Sequence, residues 1–174
     1  MNFRRLTTSP INYWGSFASD TLAAIGLLAA GFATTTRPLA AIAALALGIA
    51  TYSFYEYAFH RWLYHATAVR DLHALHHRDP RAPIGAPFFF TLVVAASAFY
   101  LAHLVIDRPL AAVLAGAILA THVYQGAVHH LLHHGRASVL RRLQHHHNLH
   151  HRRSDTNFGV STMMWDRVFR THTR

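Results

Sequence analysis

The stretch LAAIAALALGIATYSFYEYAFHRWLYH, residues 39–65, decides how the rest of the chain is read. From Leu39 to Tyr55 it carries no charged side chain; Glu56 then breaks the run, and His60, Arg61 and His65 follow within ten residues. A helix needs roughly 20 mainly apolar residues to cross ~30 Å of hydrocarbon, and residues 39–59 meet that length. Segments 17–36, 86–106 and 109–128 have the same character, with Asp20, His103 and His122 their only acidic, basic or histidine side chains. Four such lengths in 174 residues leave too little polar surface for four buried helices of a soluble protein.

Composition agrees. The chain is 52% hydrophobic yet has a formal charge of +9, so charge and apolar surface must be segregated along it. The expected fold is an all-α integral membrane protein, one domain over residues 1–174, with four transmembrane helices and a cytosolic helical cap. TTTRP (34–38) and DRP (107–109) form short hairpin links, each ending in a proline suited to the first turn of the next helix. The first apolar run starts beyond residue 16 and leads straight into a second, which fits a retained span and no cleavable signal. Arg4, Arg5, Arg61, Arg70, Arg78, Arg81 and every arginine from Arg136 onward fall on one face of such a bundle, and only Arg37 and Arg108 on the other. Positive residues collect on cytoplasmic flanks, so both termini and the segments 60–85 and 129–174 are expected in the cytoplasm. All 16 basic residues are arginine, which with the alanine excess points to a GC-rich bacterial genome and hence an inner membrane. No basic recognition motif is present, and nucleic acid is not an expected partner. The absence of cysteine excludes disulfides, thiolate ligands and cysteine nucleophiles.

Of the 17 histidines, all but His103 and His122 gather in the two cytoplasmic segments. His73, His76 and His77 stand at i, i+3 and i+4, as do His147, His150 and His151, so each trio shares a helix face. His129 with His133, and His130 with His134, are i, i+4 pairs. His60 and His65 lie five apart, about 140° around a regular helix; they serve one centre if the helix distorts, and otherwise two neighbouring centres, which suits a two-metal site. Neutral imidazole supplies one nitrogen to one ion, and about ten such donors would suit two ions of high coordination number. A lone tetrahedral zinc would leave most rings unused. No Ser-His-Asp set, carboxylate pair or glycine-rich phosphate loop accompanies them, and redox chemistry at a non-haem dimetal site fits better than hydrolysis. His103 is expected to bond between helices, His122 is a functional candidate by its depth in a span, and His145, His146 and His172 are expected to support the site or lie at the surface.

These residues resemble the membrane-bound fatty acid hydroxylase and sterol desaturase superfamily. EYAFHRWLYH (56–65) is similar to its HxxxxH box, HALHH (73–77) to its HxxHH box, VHHLLHH (128–134) to HxxxHH, and HNLHH (147–151) to the final HxxHH. The tail NFGVSTMMWDRVFRT (157–171) resembles the FG…WD…FGT ending of the group. The resemblance implies His60, His65, His73, His76, His77, His129, His133, His147, His150 and His151 as ligands of two iron ions, with zinc able to replace iron in purified protein and with no catalytic residue distinct from these ligands. It implies dioxygen as co-substrate, a lipid C–H bond as the target, and a separate ferredoxin or cytochrome as electron donor. The run His145–His147 leaves two registers open for the last box. Tyr124 is followed by Gln125, where fatty acid 2-hydroxylases often have Asp, and only seven residues separate His65 from His73, a gap closer to that of carotenoid hydroxylases. A carotenoid hydroxylase or sterol-type desaturase is therefore the alternative enzyme, and a membrane metal-binding or transport protein the alternative of another class.

Overall fold

The computed structural model describes residues 3–65, 70–135 and 138–174, with the side chains of residues 3 and 4 left aside; Arg4, as a side chain, and Arg136 lie outside the described residues, as do positions 66–69 of the first cytoplasmic segment. The described residues form helices and no strand: α1 (Phe3–Thr7), α2 (Pro10–Thr34), α3 (Pro38–Ala58) running on as a π-helical turn over Phe59–Tyr64, α4 (Arg70–Arg78), α5 (Phe88–His103), α6 (Arg108–His134), a 3₁₀ turn at Ser138–Leu140, α7 (Arg141–Arg152) and α8 (Met164–Val168). They make two compact units, Met1–Tyr52 with Pro83–Val123, and Ser53–Ala82 with Tyr124–Arg174.

In the first unit α6 is central. Leu110, Ala111, Val113, Ala115, Ala117 and Leu119 are buried, against Ala41 and Ala44 of α3 on one side and Ala24 of α2 with Ala95 of α5 on another. Alanine at so many contacts lets backbones approach closely, the packing used where lipid removes the hydrophobic drive between helices. Gly48 shows how close: a Cβ there would lie 2.6 Å from that of Ala117 and 2.7 Å from the Leu114 carbonyl. The outer faces keep Leu22, Ile25, Ile42, Leu47, Val93 and Leu101 exposed.

Among the described residues, three helices are long and apolar enough to cross a membrane: Pro10–Thr34, Pro38–Tyr64 and Arg108–His134. The fourth expected span is shorter. α5 has 16 residues, about 24 Å at 1.5 Å each. The Asn12 side chain fixes its start by accepting from Phe88 N at 3.0 Å and donating to the Ala86 carbonyl at 2.9 Å. α2 starts seven residues earlier than hydropathy indicates, because Pro10 occupies its first turn and Ser9 caps it. α6 likewise runs past residue 128 to carry the third histidine cluster.

A polar chain crosses this apolar unit. Thr91 donates to Asp20, whose Oδ2 lies 3.5 Å from His122 Nε2, and His122 Nδ1 meets the Tyr52 hydroxyl at 2.7 Å. Asp20 is 1% exposed. His122 is thus tied to two other helices, whereas His103 ends α5 on an exposed site beside Phe99 and, among the described residues, makes no bond between helices. The expectation for His103 fails because α5 stops there. Replacing Asp20 by Ala should destabilise the protein by about 1–3 kcal/mol, with Asn costing less because it keeps an acceptor for Thr91. Thermal unfolding in detergent would show the order.

Candidate metal centre

The second unit assembles the histidines. The π-helical turn is the first reason: i→i+5 hydrogen bonding widens the turn and returns residues five apart toward one face. His60 and His65 therefore point into the same group, the alternative that a distorted helix left open.

Ten imidazoles fall into two sets of five, with the donor atoms of each set within 4.8 Å of one another. The first set is His60, His65, His73, His77 and His150; the second is His76, His129, His133, His147 and His151. The partition is reciprocal. The π-turn and α4 each give two rings to the first set, and α7 crosses over with His150. α6 and α7 each give two to the second, and α4 crosses over with His76. Each HxxHH trio thus splits, its i, i+4 pair going to one set and its middle residue to the other. The sets adjoin, with the rings of His77 and His151 stacked at 4.3 Å. His147, not His145 or His146, is the member from the triple run, so the register of the last box is fixed. His130 and His134 stack on one another at 4.3 Å and belong to neither set.

The nitrogen spacing has the dimensions of a coordination shell. His73 Nε2 lies 2.9, 3.0 and 3.1 Å from Nε2 of His77, His60 and His65. One ring N–H cannot serve three neighbours, so these short contacts are not an ordinary hydrogen-bond network. Nitrogens held about 2.1 Å from one ion at right angles are about 3.0 Å apart. The second set repeats the spacing, with 2.9 Å between His147 and His133, 3.1 Å between His133 and His129, and 3.0 Å between His129 and His76. The donor sets fit metal ions.

Burial keeps the rings neutral, with their lone pairs free. It holds His76 and His150 down at about 3, His65 at about 4 and His151 at about 2. His73, His77 and His147 are lowered for the same reason. Neighbouring imidazoles add to the effect in most of them, since one imidazolium would repel the next.

A strap from Thr156 to Ser161 supports the first set. His60 Nδ1–H donates to the Phe158 carbonyl, and His150 Nδ1–H to that of Thr156 at 2.7 Å. Two carboxylates anchor the strap. Asp166 accepts from the amides of Phe158 and Gly159 at 2.8 Å each, from Thr171 at 2.7 Å and from His146 at 3.0 Å. Burial alone would raise the Asp166 pKa, but these bonds outweigh it and hold it below the usual value. Glu56 accepts from Val160 N at 2.6 Å and from the amide and hydroxyl of Ser161. Asn157 makes the turn with φ 57°, a region Asn tolerates, and its side chain bonds Thr173 and the His146 carbonyl. Gly159 is required by space: a Cβ would sit 2.0 Å from the Thr162 carbonyl oxygen and 2.9 Å from Asp166 Oδ2. Gly159→Ala should displace the strap and cost about 1–3 kcal/mol or more, read as a lowered Tm together with weaker metal retention.

The fatty acid hydroxylase family model matches residues 45–171, from the middle of α3 through the strap. The chain belongs to the fatty acid hydroxylase family. It is 31% identical over 140 residues to a dihydroceramide fatty acyl 2-hydroxylase of Arabidopsis thaliana, covering 73% of this chain and 59% of that protein. It is 32% identical over 146 residues to the fatty acid 2-hydroxylase of Homo sapiens, covering 73% of this chain and 38% of the relative. The chain thus spans less than two thirds of either relative's length. A solved structure of full-length Scs7p, with only the hydroxylase domain visible, matches with a TM-score of 0.85 at 20% identity, covering 100% of this chain and 70% of that one. That likeness shows the shared fold.

In this member of the fatty acid hydroxylase family, several site residues lie outside any histidine pattern. His146 is 2% exposed and bonded to Asp166, and His172 stacks on it at 5.2 Å, so both support the strap; His145 is exposed. Glu56 and Asp166 carry no spacing signature, because their partners are backbone amides. Only the FG and WD pairs of the tail hinted at them. Gln144 Nε2 donates to the Leu132 carbonyl at 2.9 Å, tying α7 to the open carbonyl end of α6.

Proposed function

We propose that this chain is an oxygen-dependent lipid hydroxylase, acting as a single hydroxylase domain, whose ten histidines hold two iron ions. The observation that carries this is the pair of all-nitrogen donor sets, five neutral imidazoles each, in a chain of the fatty acid hydroxylase family. When bound, reduced iron supplies the means to activate dioxygen. The protein's part is to keep ten lone pairs directed inward and to hold the lipid. One oxygen atom enters a C–H bond and the other leaves as water, which consumes two electrons and two protons and requires a separate ferredoxin- or cytochrome-type donor.

The substrate is an acyl chain, attacked near its carboxyl end, as the relatives' names indicate for those proteins. α2, α3, α5 and α6 all lie in the membrane, the short α5 being accommodated by local thinning. The termini and the metal centre face the cytoplasm of a bacterium, as the arginine distribution supports. The seven-residue gap between His65 and His73 favours a second reading, a carotenoid hydroxylase on the same fold.

The test is product analysis. Iron-loaded protein in lipid nanodiscs, given a chemical or ferredoxin reductant and ¹⁸O₂, should yield 2-hydroxyacyl lipid carrying one ¹⁸O. Oxygenated carotenoid with unchanged acyl chains would select the second reading. Absence of any ¹⁸O-labelled product with two irons bound would overturn both.

A further inference from the structure

The two donor sets have matching ligands but unequal support. In the first, the carbonyls of Phe158 and Thr156 each take a proton from Nδ1, of His60 and His150 respectively. A carbonyl only accepts, so both rings must carry their proton on Nδ1 and leave Nε2 bare toward the ion. Both carbonyls belong to the strap held by Asp166 and Glu56.

The second set has nothing equivalent. Among the described residues, no carbonyl takes Nδ1 of His76, His129, His133, His147 or His151, and Nδ1 of His147 and of His151 is buried with no partner at all. His147 is 1% exposed. A neutral imidazole carries one proton, and of the facing rings His147 and His151, whose Nε2 atoms lie 3.1 Å apart, only one can place it on Nε2 toward the other. That tautomer blocks the donor atom. Binding an ion then requires the proton to move to Nδ1, where it is buried without an acceptor, a cost the first set does not bear.

We propose that the two centres differ in affinity: the first set binds its ion tightly and first, the second holds an exchangeable ion, and Asp166 and Glu56 are positioning residues for the tight centre. The inference rests on the dimetal reading above. It implies that purified protein carrying a single ion carries it on His60, His65, His73, His77 and His150.

The experiment is titration of the full-length apoprotein in detergent with cobalt(II), followed by calorimetry and visible absorption. Two steps are expected, at least tenfold apart in Kd. At one equivalent, histidine modification mapped by mass spectrometry should protect His65 and His77 and leave His133 and His151 open. Asp166→Asn should weaken the tight step about 10–100-fold, the usual effect of removing a ligand's hydrogen-bond support, and leave the weak step unchanged. Two ions bound with equal affinity, or protection of His133 and His151 first, would overturn the inference while leaving the dimetal reading intact. Uptake of one ion or none at saturation would overturn the dimetal reading and this inference with it. The wild-type titration and protection pattern decide the matter even if Asp166→Asn does not fold.

Discussion

Alanine at His150 should empty the first centre, and alanine at His76 the second, each variant keeping about one ion per chain. Spacing along the helices does not lead to this result: His150 sits between His147 and His151, both of which serve the second set, and His76 sits between His73 and His77, which serve the first. Each is the only donor its helix sends across. Removing it takes one ligand in five and leaves the opposite helix unattached to that ion. Loss of a mere hydrogen-bond partner to a ligand typically costs 10–100-fold in metal affinity or activity, so loss of the ligand itself should exceed that. Hydroxylation should fall below detection in both variants, because one ion alone does not complete the site. Metal analysis per chain beside product analysis checks both halves. Full metal content in both variants would sink the ligand assignment.

The crossing also explains what could and could not be seen before folding. The i, i+3, i+4 spacing of His73, His76 and His77 says that all three face one way, and they do. It cannot say which turn toward which ion, because a helix face is wide enough to look at two sites and the facing helix decides. His60 and His65 posed the opposite problem: a regular helix separates them, and nothing in FHRWLY announces a π-turn. The long apolar stretches were legible because crossing hydrocarbon demands length and composition together. The shortness of α5 was not, since it depends on Asn12, 76 residues away, capping Phe88. The supporting carboxylates were hidden for a related reason. Glu56 at the end of an apolar run looks like a membrane boundary, and only the folded tail, which brings the amides of Val160 and Ser161 onto it, shows its use.

Acid should unfold the metal-free protein in a window set by these rings. In the unfolded chain each imidazole titrates near about 6.5, whereas in the folded protein His65 is held at about 4, and His76 and His150 at about 3. Between those limits the unfolded state binds more protons than the folded one, so stability rises with pH across the window. The contribution is fully present above about 6.5 and is lost as the pH falls toward 4 and then 3. Burial is the main cause and repulsion between neighbouring imidazoles the second, so the loss should be cooperative, as a first proton that enters opens the cluster to others. The same depression sharpens the expectation for metal. Protons compete for these donors only near the folded values, so affinity per folded molecule should stay nearly flat from pH 8 to about 5 and not weaken from 6.5 downward. Metal release and loss of helix signal should then coincide on acid titration, and added metal should shift both to lower pH. Release of metal near 6.5 from protein that remains folded would show that the rings titrate as exposed histidines and that the sets are open to water.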